Sequence, residues 1–210
     1  RLAGANLTRA ALNAERLDGA DLSGCRLDEA NLAKARLRGA NLAGASLDKA
    51  LLVETDLSNA SLERARITAA RMIRCTLAAA GLSGATLDGT VFIECGLAGA
   101  RLDGATIAAC QFLMVDLARV RARGATFRAS SFIDPNAAAA DFTGARIEAC
   151  GFAGAIVFTE ACLDAVEAPD TTWNGGDFRG ARFRRARLER AILSGADLSG
   201  ASLRLASLVR

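Results

Sequence analysis

The sequence predicts an elongated repeat solenoid with a thin continuous core, and two regularities predict it. A large aliphatic or aromatic residue falls on every fifth position from Leu2 to Phe152. Of the 31 positions at this spacing, 29 are Leu, Ile, Met or Phe, and only Ala122 and Ala137 fail. Two residues before almost every large one stands a small one, as at Ala5, Ala20, Cys25, Ala30, Ala35 and Ala40. A period of five suits neither the helical repeat of about 3.6 residues nor the two-residue alternation of a strand. A unit this short buries nothing alone and must stack on copies of itself.

Composition agrees. The 210 residues are 51% hydrophobic, with 20 Gly and a formal net charge of +3. No apolar run approaches the ~18 residues of a membrane span, so none is expected. The start lacks a signal-peptide pattern, and Arg1-Leu2 is already in register without an initiator Met, which reads as a segment of a longer chain. Cys25, Cys75, Cys95, Cys110 and Cys150 occupy the small inward slot that Ala holds elsewhere, and only Cys162 lies outside it. They read as small apolar fillers, reduced in a cytoplasmic protein.

Written in fives, the chain gives A-N-L-T-R from Ala5, A-D-L-S-G from Ala20, A-N-L-A-K from Ala30, A-N-L-A-G from Ala40 and A-D-L-S-G from Ala196. These units resemble the pentapeptide repeat family, whose pattern is A(D/N)LXX, over essentially the whole chain. The resemblance implies an all-β fold, a right-handed quadrilateral parallel β-helix with four pentads per coil and about ten coils. The central large residue and the small residue two before it would point inward, the other three outward. At a strand spacing of about 4.8 Å the axis would run roughly 50 Å.

Four pentads per coil means that residues 20 apart stack, and the sequence carries that phase itself. Phe92, Phe112, Phe132 and Phe152 form one such series. Gly4, Gly24, Gly44, Gly84, Gly104, Gly124 and Gly144 form another, broken by Arg64, as expected of a corner needing positive φ at one place in each coil. Cys75 and Cys95 would be stacked neighbours. The core thins at Ala122 and Ala137, and Pro135 takes a small inward slot. Near 155–158 one residue is inserted, and the series resumes at Phe158 and Leu163, placing Trp173 above the Phe series. Ala168-Pro169-Asp170 reads as a bulged corner, an irregularity near 168–171 within one domain spanning 1–210.

No catalytic pattern is found. The chain has no His and no Tyr, its Ser residues sit in repeat slots, and its Gly-rich stretches lead into no helix. No cofactor, metal or small-molecule substrate is expected. Glu160, Asp164, Glu167 and Asp170 cluster near the insertion and read as a solvated acidic rim, with a cation site as the alternative.

Two surface features stand out. On the Phe face, the slot after the core residue reads Val53, Ile73, Ile93, Leu113 and Ile133 in five successive coils, with Leu51, Val91 and Met114 beside it. A stripe about 20 Å long suggests a surface covered by a homodimer partner, a neighbouring domain or a client protein. Arg179, Arg182, Arg184, Arg185, Arg187 and Arg190 face only Asp177 and Glu189 in their stretch of sequence, a belt that reads as a solvated face or an anion grip. Nucleic acid is an unlikely ligand, because no exposed aromatics accompany the belt.

The resemblance implies two functions. One is a non-enzymatic protein–protein interaction scaffold, one domain of a larger bacterial protein, since such repeats also occur in proteins associated with contractile secretion systems. The other is a DNA-mimicking modulator of gyrase-type topoisomerases. Asp28, Asp48 and Asp88 give part of a carboxylate row, but Arg26, Arg66, Arg128 and Arg146 interrupt the same face, and a positive net charge opposes polyanion mimicry.

Overall fold

The computed structural model describes residues 2–208. The chain winds as a parallel β-helix in which residues 20 apart pair, and four pentads build four faces per coil. Regular strands form on two adjacent faces. The first carries β2 (Arg66–Thr68), β4 (Thr86–Asp88), β6 (Thr106–Ala108), β8 (Thr126–Arg128) and β10 (Arg146–Glu148). The second carries β1 (Leu51–Val53), β3 (Arg71–Ile73), β5 (Val91–Ile93), β7 (Gln111–Leu113), β9 (Ser131–Ile133) and β11 (Gly151–Ala153). Each sheet is wholly parallel, in the orders β2-β4-β6-β8-β10 and β1-β3-β5-β7-β9-β11. Regular strands thus span about half the expected coils; beyond them, and throughout the third face (through Thr76, Gly96 and Asp116) and the fourth (through Gly81, Arg101 and Arg121), isolated bridges keep the register, from Asn6↔Arg26 to Arg187↔Ser207.

Backbone groups are satisfied between coils. The core residue's amide donates to the coil above, as from Leu42 to the Ser61 carbonyl at 2.7 Å, and the preceding residue's amide donates to the coil below, as from Asn41 to the Ala20 carbonyl at 2.9 Å. Side chains therefore alternate strictly, with the middle residue of every regular strand buried.

The corners overturn one expectation. Positive φ is needed at all four corners of a coil, not at one, and many are held by residues with side chains, such as Arg64 at 55° and Ala69 at 52°. A closed corner such as Leu27–Ala30 carries the 3.1 Å turn bond from the Ala30 amide to the Leu27 carbonyl. Where a strand replaces that turn, the core carbonyls of Leu52, Ile67, Met72 and Leu87 accept instead from a small side chain one coil up. Cys75 Sγ donates to Leu52 at 3.2 Å, Thr90 Oγ1 to Ile67 at 2.6 Å and Cys95 Sγ to Met72 at 3.3 Å. Three inward thiols, Cys75, Cys95 and Cys110, are therefore more than apolar fillers: each donates to a carbonyl that lacks the turn bond and that burial would otherwise leave unpaired.

The Phe series stacks as a ladder. Successive ring centroids from Phe92 to Phe152 lie 4.9, 4.6 and 4.7 Å apart, with interplanar angles of 5°, 1° and 6°. Trp173 continues it, 5.8 Å above Phe152. At the alanine-thinned level, Phe127, Phe132, Phe142 and Phe158 lean inward and leave a cavity of only about 10 Å³.

From Asn136 to Val157 and from Gly151 to Thr172 the paired step is 21 residues. The extra residue projects at Gly154-Ala155, where the Asp134 carboxylate accepts the Ala155 amide at 2.7 Å. The expected bulge at 168–171 is not formed. Asp170 turns at φ 55° like other corners, and the Ala168 and Asp170 amides bond to Arg187 and Glu189 in the ordinary ladder. Pro169 fits because its outward slot asks no amide of it.

Candidate functional site

The second face carries the aliphatic stripe. Strand register places Val53 against Ile73, Ile73 against Ile93, Ile93 against Leu113 and Leu113 against Ile133 as direct neighbours. Each stripe residue rests against those above and below, so Val53, Ile73, Ile93 and Leu113 are half-buried, while Ile133 remains 43% exposed. Leu51 and Val91 belong to the other outward row of the same strands and are parted by Arg71. Met114, 48% exposed, sits on the corner rather than in the sheet.

The stripe column extends through Asn13 and Ala33 below and through Ala153, Asn174 and Ser194 above, so no charged residue occupies it in any described coil. Along one edge runs the corner series Lys34, Glu54, Arg74 and Glu94, where Glu54 meets Lys34 at 3.9 Å and Arg74 at 2.8 Å. The other edge escaped the sequence reading. Ala69, Gly89, Ala109, Ala129 and Ala149 form an exposed corner column at positive φ. It leads onto the in-register threonines Thr86, Thr106 and Thr126 of the first face. The signal was available in the 20-residue phase, but small residues attract no notice until the corner they share is known.

The arginine belt and the acidic cluster are one feature. Arg182 and Arg184 reach Asp164 at 3.3 and 3.4 Å, Arg187 reaches Glu167 at 3.2 Å, and Arg190 reaches Asp170 at 2.6 Å. Arg179 pairs with Asp177 of its own pentad at 2.7 Å. Sequence separates the pairs made with Asp164, Glu167 and Asp170 by 18 or 20 residues, whereas the coil puts them one strand spacing apart. Hydrogen bonds from Arg190 and from Arg179 hold the Asp170 and Asp177 carboxyls below their ordinary range. The four acids are spread around the coil, and no group of His, Cys, Asp or Glu among the described residues is arranged to hold a metal ion. On the first face, Asp28 is engaged by Ser46 and Arg26, and Asp48 by Arg66 at 2.6 Å.

All six thiols are free; Cys162 alone lies toward the surface, beside Thr143 and Arg182. Burial pushes the Cys110 thiol up to about 11. Among the described residues, no helix is long and apolar enough to cross a membrane.

A family model described as pentapeptide repeats matches in eight copies, over residues 1–39, 35–72, 70–107 and 174–208. The unmatched stretch contains the thinned core, Pro135 and the inserted residue. No curated protein sequence matches. Among solved structures, the chain is similar to HetL, a pentapeptide repeat protein involved in heterocyst differentiation regulation from the cyanobacterium Nostoc sp. strain PCC 7120. The TM-score is 0.67 at 26% identity, covering 99% of this chain and 91% of that one. A pentapeptide repeat protein of the Arabidopsis thaliana thylakoid lumen matches at 30% identity and TM-score 0.34, covering 50% of this chain and 66% of that one. QnrB1, a plasmid-mediated fluoroquinolone resistance protein, matches at 16% identity and TM-score 0.45, covering 99% and 90%.

Proposed function

The chain belongs to the pentapeptide repeat family, and from that premise we propose that it is a non-enzymatic scaffold binding another protein through its second face. One observation carries the reading. The column holding Val53, Ile73, Ile93, Leu113 and Ile133 is an aliphatic row free of charge along its described length, while the first and fourth faces carry ion pairs between coils. Five consecutive β-branched or leucyl side chains on a flat sheet give an apolar strip that a partner dehydrates at little entropic cost, because the strand already fixes its backbone. The charged corner Lys34–Glu54–Arg74–Glu94 supplies the polar rim of such an interface. The partner is a protein surface, whether a second copy, a neighbouring domain or a client. The set of reduced buried thiols supports a cytoplasmic setting.

Mimicry of DNA is less well supported. It requires free carboxylate rows, whereas Asp28 and Asp48 are engaged by arginines and the chain carries a net charge of +3.

The test is a triple variant, Val53→Asp with Ile73→Asp and Ile93→Asp, beside a third-face control of Ala78→Asp, Ala98→Asp and Ala118→Asp. Both should fold, since every position is outward. The first should lose partner association or dimerisation and the control should keep it. Association surviving in the first, or lost equally in both, refutes the proposal.

A further inference from the structure

Most of the arginine belt is neutralised from below, but its fourth-face corner is not. Arg182 and Arg184 share the single carboxylate of Asp164. Arg185 follows at the corner, its amide bonded to the Arg204 carbonyl at 3.0 Å. The bridge Arg182↔Ser202 sets Arg204 directly above Arg184, one strand spacing away. Among the described residues, neither Arg185 nor Arg204 forms an ion pair. The next carboxylate down the face, Asp141, is already held by Arg123 at 2.6 Å and by the Thr143 hydroxyl at 2.6 Å. Two guanidiniums therefore share one carboxylate, and two more without an ion pair stand beside them, so that Arg184, Arg185 and Arg204 line a groove of about 400 Å³ with Asp164, Ala165 and Leu205. A second groove on the first face shows the usual balance, with Arg146 and Arg187 among Glu148, Glu167 and Glu189.

We propose that this notch binds a phosphoryl oxyanion through Arg184, Arg185 and Arg204. Stacked like charges repel unless an anion lies between them, and the planar guanidinium fork matches tetrahedral oxyanions with paired hydrogen bonds. Ala165 and Leu205 form a small apolar shelf beside the cations, which suits the organic part of a phosphate monoester. The grip foreseen along the whole belt contracts to this corner and gains Arg204, which lies a full coil beyond the belt in sequence. Arg179, Arg187 and Arg190 are spent on their carboxylates. This site is independent of the second face, and either can fail without the other.

The experiment is calorimetric titration of the full chain with inorganic phosphate, and separately with phenyl phosphate, at ionic strength held constant with sodium chloride. The expected result is saturable binding at one site, tighter for phenyl phosphate. Arg185→Gln combined with Arg204→Gln should weaken it by about tenfold or more, the scale of a lost charge-assisted hydrogen bond, while Arg190→Gln leaves it unchanged. If inorganic phosphate binds as tightly as phenyl phosphate, the shelf is refuted and the proposal fails in its organic part. Absence of saturable binding, or equal weakening by Arg190→Gln, overturns the site. Should the double variant misfold, Arg204→Lys keeps the charge and loses the fork: weaker binding supports the proposal, and unchanged binding contradicts it.

Discussion

Removing one ring from the middle of the Phe ladder tests how the core is held together. Phe112 is 4% exposed and lies between Phe92 at 4.9 Å and Phe132 at 4.6 Å, nearly parallel to both. Phe112→Ala removes the ring and both stacking contacts and leaves a gap that the hydrogen-bonded backbone above and below cannot close. The expected cost is about 4 kcal/mol, within the range for buried Phe→Ala changes. Phe112→Leu restores the residue type found at Leu12, Leu32 and Leu52 on the same face. It should forfeit mainly the two ring contacts, each worth about 0.5–1.5 kcal/mol, for a total of about 1–3 kcal/mol. Urea unfolding followed by far-ultraviolet circular dichroism, with Trp173 fluorescence as a local probe, reads both numbers. Because each coil contacts only its neighbours, the alanine variant should also separate the two probes, with the coils on either side unfolding at different denaturant concentrations. An alanine variant costing under about 1 kcal/mol, well below the buried-ring range, would refute a core carried by ring stacking. So would one indistinguishable from the leucine variant.

Three further outcomes follow from particular contacts. Gly154→Ala should destabilise by about 2 kcal/mol, since a Cβ there collides with the Asp134 side chain, whereas Gly144→Ala, with open space around it, should cost under about 1 kcal/mol; thermal denaturation of the pair decides. Burial pushes the Asp141 carboxyl up, but hydrogen bonds from Thr143 and Arg123 outweigh it and leave it below its ordinary value. The stability it contributes is therefore complete at neutral pH and lost as pH falls through that depressed value. Asp141→Asn should flatten the acid branch of melting temperature against pH below about pH 4; an unchanged branch contradicts the pairing. Native thiol titration with Ellman's reagent should show one fast thiol, Cys162, and five protected ones, all reacting after denaturation; several fast thiols would contradict the inward placement.

The chain's register was readable because it is written twice, in the spacing of large residues and in the 20-residue Phe phase, and even Trp173 could be placed above Phe152. The corners were not readable. Glycine marks positive φ only where it occurs, and residues such as Arg64, Ala69 and Lys49 take the same conformation because inter-coil hydrogen bonds on both sides hold it. The Cys and Thr caps were hidden because their acceptors lie 23 residues away. The counterions of Arg182, Arg184, Arg187 and Arg190 were hidden for the same reason: they belong to the coil below. Of the candidate surface, the five-residue stripe was visible in sequence. Its half-burial, and the separation of Leu51 from Val91 by Arg71, needed the stacked strands.

Site-specific photo-crosslinking tests the docking face most directly. With p-benzoylphenylalanine at Ile93, and at Ala98 on the third face and Thr106 on the first as controls, irradiation in the native cell should give a discrete adduct from Ile93 alone. An Ile93 position that yields none while Ala98 or Thr106 crosslinks would contradict the second face as the docking surface.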